Sequence, residues 1–406
     1  MAGQPPDGQP IPADGSLPEA SAARLGAAPF GVYVHVPFCR TRCGYCDFNT
    51  YTAEELGSGA SRDGYPALAI EEIRLAARVL RGRAGPVQTV FFGGGTPTLL
   101  PPGQLAAILR AIDAELGLAP GVEVTAEANP ETIDARSLTQ LRDGGVTRLS
   151  IGMQSAVPHV LAVLERVHAP GRPEQCIAWA RAAGFDRLSL DLIYGTPGES
   201  DADWQASLDA ALGAEPDHIS AYSLIVEDGT RLAAKIRRRE LPAPDDDVLA
   251  DRYLMADDRL AAAGLAWYEV SNWAAGAGSR CRHNQLYWTG GDWWGVGPGA
   301  HSHVAGTRWW NVRHPAAYAR RISAGASPGQ AREILTEAEQ ATERIMLATR
   351  LAAGCRVADL SPAGGVAARQ AAADGLISEA ALADGTVQLT RRGRLLADAV
   401  IRAITD

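Results

Sequence analysis

Apolar and polar positions first alternate at residues 31 to 37, where Val32, Val34 and Val36 interleave with Tyr33 and His35. A period of two predicts a strand with two unlike faces. From residue 65 to 81 the period changes. Tyr65, Ala69, Ile73, Ala76 and Leu80 recur near helical spacing, so a helix follows the small, polar loop Thr52 to Gly64. Val87 to Phe92 is predicted as the second strand, ending in Gly93-Gly94-Gly95-Thr96-Pro97. Leu105, Ile108, Leu109, Ile112 and Leu116 then line one face of a second helix. The unit repeats, with strands over 122–128, 148–152, 187–193 and 218–226 and helices reaching to about 142, 183 and 212 between them. Alternating strands and helices imply a parallel sheet, either a partial α/β barrel or an open doubly wound sheet. In barrels the strand ends carry the site, and here the glycine-rich and polar residues gather at those ends.

After Asp245-Asp246-Asp247, read as a solvated cap, the pattern changes. A helix runs to about residue 263, and Leu265 to Val270 is predicted as a seventh strand. Seven of the nine tryptophans then fall between Trp267 and Trp310, and four of the eight histidines between His283 and His314. Beyond residue 333 a helical unit ends in a short strand over 387–390 and a helix over 393–404. That order resembles a winged helix. The expected domains are a disordered Pro/Gly/Ala-rich tail over 1–28, a barrel over 29–270, an aromatic and histidine-rich segment over 271–330, and a winged-helix-like domain over 331–406.

Composition narrows the function. A formal net charge of −9 argues against a phosphate grip on nucleic acid. No apolar run is long enough to span a bilayer, and no secretory signal is visible. Six cysteines in 406 residues are too sparse for a disulfide framework, which suits the cytoplasm.

Three of those cysteines, Cys39, Cys43 and Cys46, stand four and three residues apart in one loop. Thiolates favour iron–sulfur clusters and zinc. Zinc sites usually join two short ligand units, and no second CxxC unit exists; His35 would be the nearby fourth ligand. A [4Fe–4S] cube held by three thiolates keeps one iron open for a small molecule.

The string Tyr33-x-His35-x-Pro37-Phe38-Cys39-x-x-x-Cys43-x-Tyr45-Cys46 resembles the radical S-adenosylmethionine (SAM) superfamily. Within it, the string is similar to the branch of oxygen-independent coproporphyrinogen III oxidases and their heme-chaperone relatives. The resemblance implies a partial (β/α)6 TIM-like barrel, a [4Fe–4S] cluster on Cys39, Cys43 and Cys46, and SAM on the open iron, cleaved there to a radical in the enzymes. It assigns to SAM the residues Tyr33, Tyr45, Gly94, Gly95, Thr96, Glu127, Gln154, Arg166 and Asp191.

The segment His283-Asn284-x-x-Tyr287-Trp288 resembles the HNxxYW motif linked to heme in the chaperones. It makes His283 the candidate axial ligand, with Tyr287 and Trp288 beside it and Cys281 as the competing ligand. The bland reading of the same segment is an aromatic core. His301 and His303 are expected in a loop at the barrel mouth, as proton relays or loop caps.

Two functions compete, an oxidative decarboxylase of coproporphyrinogen III in porphyrin biosynthesis and a heme chaperone. The oxidases place a further cysteine where Phe48 stands, and they carry a structured N-terminal arm. Both departures and the HNxxYW segment favour the chaperone, without coproporphyrinogen oxidase activity. The implied partners are heme and a heme-acceptor protein, such as a membrane-associated respiratory enzyme. Peripheral membrane association and a homodimer fit the same reading.

Overall fold

A computed structural model describes residues 8–56 and 59–405. One sheet of twelve strands organises the chain. In chain order these are β1 (Phe30–Val36), β2 (Val87–Gly94), β3 (Leu118–Ala128), β4 (Arg148–Gln154), β5 (Leu188–Tyr194) and β6 (His218–Ser223). After them come β7 (Ala266–Glu269), β8 (Asn272–Ala274), β9 (Asp292–Val296), β10 (His301–Val304), β11 (Thr307–Asn311) and β12 (Gly329–Ile334). Strands β1 to β6 run parallel in sequence order; the alternating pattern predicts the parallel sheet, and the six-stranded partial barrel is what the family resemblance implies.

The helices are α1 (Glu19–Ala23), α2 (Tyr65–Leu80), α3 (Pro102–Leu116), α4 (Ala135–Asp143), α5 (Pro158–Val163) and α6 (Arg172–Ala182). They continue as α7 (Asp201–Gly213), α8 (Arg231–Arg237), α9 (Asp246–Ala262), α10 (Arg282–Trp288) and α11 (Pro315–Ser323). The two faces of the barrel strands differ in kind. Val32, Val34, Val90, Phe92, Val124, Leu149, Ile151, Leu190 and Leu192 are fully buried in the main core with Ile73, Ile108, Leu138 and Trp204 of the helices. Their sequence neighbours face inward and are mostly polar: Thr125, Glu127, Arg148, Ser150, Ser189, Asp191, His218 and Ser220. An enclosed polar interior needs partners for every group, and much of the site's chemistry follows from that demand.

Four expectations change. Residues 8–28, read as a disordered tail, are packed: Gln9 pairs with Arg332, Ser327 N donates to Ala13 O at 2.7 Å, and the Ser21 hydroxyl meets that of Thr307 at 2.8 Å. Composition hides this because the anchors are largely backbone groups; residues 1–7 lie outside the described residues. The helical stretch after β4 is two helices, and the break between them carries Arg166. The seventh strand exists as β7, but it reaches the barrel through β8, antiparallel to β6. The aromatic segment adds β9 parallel to β1 on its free side, then β10 to β12 antiparallel. His301 and His303 therefore sit on strand β10, not in a mouth loop.

The C-terminal residues form a separate small core. Its elements are α12 (Glu337–Ala348), β13 (Cys355–Arg356), α13 (Pro362–Ala373), α14 (Glu379–Ala383), β14 (Thr386–Val387), α15 (Arg391–Leu395) and α16 (Ala397–Thr405). Strand β13 pairs antiparallel with β14, and Ile345, Ala368, Ile377, Val387, Val400 and Ile404 fill the interior. Arg394 clamps the unit to α9 through both carboxylate oxygens of Asp257, each at 3.0 Å.

Candidate cluster and cofactor site

The loop after β1 carries the three cysteines, and all three thiols are free and half-buried. Backbone bonds shape the loop. Cys39 N donates to Tyr51 O at 3.0 Å, Tyr51 N to Pro37 O at 2.7 Å, and Gly44 N to Leu164 O at 3.1 Å. A distant segment holds its far side, because Asn49 Nδ2 donates to Pro298 O at 3.0 Å and to Arg313 O at 2.8 Å. His35 is not a fourth ligand here. Its Nδ1 meets the Tyr33 hydroxyl at 3.0 Å and its Nε2 meets Asn49 O at 2.9 Å. Burial holds its pKa down at about 4, so the ring is neutral and structural.

The thiol surroundings suit a cluster. Among the described residues no three His, Cys, Asp or Glu side chains gather closely enough for a single metal ion. In a cube each thiolate binds a different iron. Thr96 Oγ1 lies 4.0 Å from Cys39 Sγ, Thr50 Oγ1 4.0 Å from Cys46 Sγ, and Arg166 Nη1 3.7 Å from Cys43 Sγ. Burial, then the neighbouring Cys46, pushes the Cys39 thiol up to about 11; burial also raises Cys46. Loading a metal centre therefore has to expel these protons.

A cavity of about 670 Å³ opens beside the three cysteines and runs down into the barrel. Eight of the nine residues expected to bind SAM line it: Tyr45, Gly94, Gly95, Thr96, Glu127, Gln154, Arg166 and Asp191. Tyr33 does not. It stacks on Phe91 and His283, with ring centroids 6.2 and 6.5 Å away, and supports the wall from behind. Each strand end has a local reason for its place. A side chain at Gly95 would put its Cβ 2.5 Å from Phe38 O and 3.0 Å from Cys39 Sγ, so only glycine lets β2 approach the cysteine loop. Gly94 N donates to Glu127 Oε2 at 3.1 Å, joining β2 to β3. Burial, then the charge of Asp191, pushes the Glu127 carboxyl up to about 8. Asp191 itself is raised by burial, opposed by hydroxyls including that of Ser150, which donates at 3.0 and 2.9 Å. Gln154 closes β4 at a register shift with φ of +66°. Arg166 Nη2 donates to Gly152 O at 2.9 Å, while its Nε is buried with no partner. A carboxylate ligand would satisfy such an arginine.

The heme candidates lie elsewhere. His283 on α10 is buried, and neither it, Tyr287 nor Trp288 lines the cavity. Its Nδ1 meets Thr89 Oγ1 at 2.8 Å and its Nε2 meets the Tyr287 hydroxyl at 2.8 Å. Its ring stacks on Phe91 at 5.1 Å, and its backbone N donates to Glu123 at 3.1 Å. As an axial ligand His283 would first have to break one of those ring bonds. In this conformation the histidine fastens α10 to β2. Trp288 and Asn284 face the buried carboxyl of Glu269, which burial raises to about 8. Cys281 does line the cavity, but its thiol points at Glu123 Oε1, 3.7 Å away, and burial pushes it up to about 12. Trp273, Trp294, Trp309 and Trp310 are core residues, and no tryptophan is among the residues lining the cavity.

Sequence reasoning passed over Arg148. It is 1% exposed, lines the cavity and donates from Nη1 to Ser279 O at 2.8 Å, while Nη2 has no partner. An arginine beginning a predicted strand was the available signal.

The Radical SAM superfamily model matches residues 33–211. The heme chaperone HemW of Mycobacterium tuberculosis (strain H37Rv) is 51% identical over 94% of this chain and 96% of its own. The heme chaperone HemW of Synechocystis is 36% identical over 82% of this chain and 80% of its own. Among solved structures, coproporphyrinogen III oxidase (HemN) from Escherichia coli superposes with a TM-score of 0.81 at 22% identity, covering 95% of this chain and 92% of its own, a likeness of fold.

Proposed function

The chain belongs to the HemW family of the radical SAM superfamily, and on that premise we propose how it serves as a heme chaperone. The observation that carries the reading is the convergence of the three cysteines with the ends of β2 to β5 on one cavity. Cys39, Cys43 and Cys46 would hold a [4Fe–4S] cluster. When bound, the cluster supplies an iron with an open position that accepts the amino and carboxylate groups of SAM.

The chain's own residues do the rest. Arg166 offers its guanidinium to a carboxylate; Gly94 and Gly95 let the ligand approach backbone; Glu127 and Asp191 accept from hydroxyl or amino groups. Tyr45, half-buried on the apolar cluster formed by Val160, Leu164 and Leu224, presents a flat face suited to adenine. Phe48 stands where the oxidases carry a further cysteine, which favours heme carriage over oxidative decarboxylation. We place the protein in the cytoplasm and give it a heme-acceptor protein as partner. Among the described residues no helix is long and apolar enough to cross a membrane.

The test reconstitutes the cluster without oxygen, then follows hemin binding by absorbance and coproporphyrinogen III conversion side by side. The reading expects stoichiometric hemin uptake and no catalytic conversion. Conversion at enzymatic rates would overturn it. Asp191→Ala is expected to weaken SAM binding by calorimetry, and unchanged affinity would remove that residue from the SAM site.

A further inference from the structure

Nine large apolar side chains are exposed among the described residues, and four of them, Phe48, Val167, Tyr222 and Ile225, line this one cavity. They come from three separate strand ends: the loop after β1, the break after α5, and the end of β6 with the residues beyond it. Phe48 is 60% exposed, Ile225 63% and Val167 75%, so they stand at the opening, whereas Glu127 and Asp191 on the polar wall are half-buried. Clustered exposed apolar groups at a cavity mouth mark a binding surface. SAM is polar, and the polar groups that suit it, Glu127, Arg166 and Asp191, belong to the wall of the same cavity.

We propose that this apolar collar is the heme-docking surface of the chaperone. The proposal rests on the chaperone reading and gives it a location that the His283 segment does not offer in this conformation. Heme is flat, apolar on both faces, and carries two propionates on one edge. The collar supplies apolar and aromatic contact for the faces. Arg40, exposed on the cysteine loop and lining the same cavity, has a guanidinium that no described side chain pairs with, and it suits a propionate. Heme docked here covers the opening to the SAM cavity.

The experiment titrates hemin into cluster-loaded, full-length protein kept free of oxygen. Phe48→Ser/Ile225→Ser is expected to weaken hemin binding at least tenfold. The control pair Val366→Ser/Leu396→Ser, exposed on the C-terminal unit, is expected to leave it unchanged. Iron content and circular dichroism of each variant verify folding. A hemin-loaded sample is also expected to take up SAM at least tenfold more slowly than a free one. Unchanged hemin affinity in the collar variant overturns the location and leaves the surface to a protein partner. Loss of hemin from His283→Gln with the collar variant unaffected overturns it in favour of the histidine. No hemin uptake by the unaltered protein overturns the chaperone reading itself.

Discussion

Replacing Gly95 with alanine tests whether close approach of β2 to the cysteine loop sustains the cluster. The added Cβ would stand 2.5 Å from Phe38 O, 2.9 Å from Phe38 C and 3.0 Å from Cys39 Sγ. Two of those three atoms are backbone, and the strand end and the loop are tied together: Thr96 N donates to Phe38 O at 2.8 Å and Gly95 N to Val36 O at 2.8 Å. Restoring even a 3.0 Å separation therefore moves the Phe38 carbonyl by about 0.5 Å and carries Cys39 with it. Overpacking a site that cannot give costs about 1–3 kcal/mol. Charged wholly to the loaded state, that is roughly a 5- to 150-fold faster loss of cluster. Gly103 in the first turn of α3 is the control, with nothing near its hypothetical Cβ, so Gly103→Ala is expected to be neutral or slightly stabilising. The assay measures iron and sulfide per chain, then cluster decay against a chelator. A Gly95→Ala protein that fills and keeps its cluster like the control refutes the steric reasoning.

Serine in place of Cys39, Cys43 or Cys46 is expected to abolish iron retention, whereas serine at buried Cys176, Cys281 or Cys355 leaves iron per chain unchanged. Arg252 and Glu199 form a buried pair at 2.9 Å, so Arg252→Met strands a carboxylate and is expected to cost about 3–5 kcal/mol by denaturant unfolding. Burial raises Glu72 from 4.5 to about 7, despite donors from Gly297 N, Asn311 and Tyr318 at 2.7 Å. A carboxyl raised by folding favours the fold when protonated. Its contribution is full below about pH 4.5 and is lost by about pH 7, a fall of about 3 kcal/mol. In Glu72→Gln that slope is expected to vanish from unfolding measured across the same window.

Much of the barrel was legible because its two strand faces obey unlike demands. Val90, Ile151 and Leu190 are buried in the helix-covered core, while Thr125, Ser150, Ser189 and Asp191 line the polar interior. The cysteine loop was legible from its spacing, and the strand-end residues through the family resemblance carried by that loop. What escaped reading depended on distant partners. Thr89 lies 194 residues from His283, yet its hydroxyl takes one ring nitrogen of that histidine. The tryptophan-rich segment left an aromatic core and a heme site both open, and Trp294 and Trp309 pack edge to face at 4.8 Å between strands that the local pattern did not announce. The collar was equally hidden: Phe48, Val167 and Ile225 carry no shared period, and only the fold brings them to one opening.

The grip of Asn49 on Pro298 O and Arg313 O sets a timetable for maturation. On the ribosome, the thiols emerge early, and the residues that steady their loop emerge more than two hundred positions later. Strand β1 likewise waits for β9 to cover its open edge. The loop that carries the thiols thus gains these two backbone partners only after synthesis has passed residue 313.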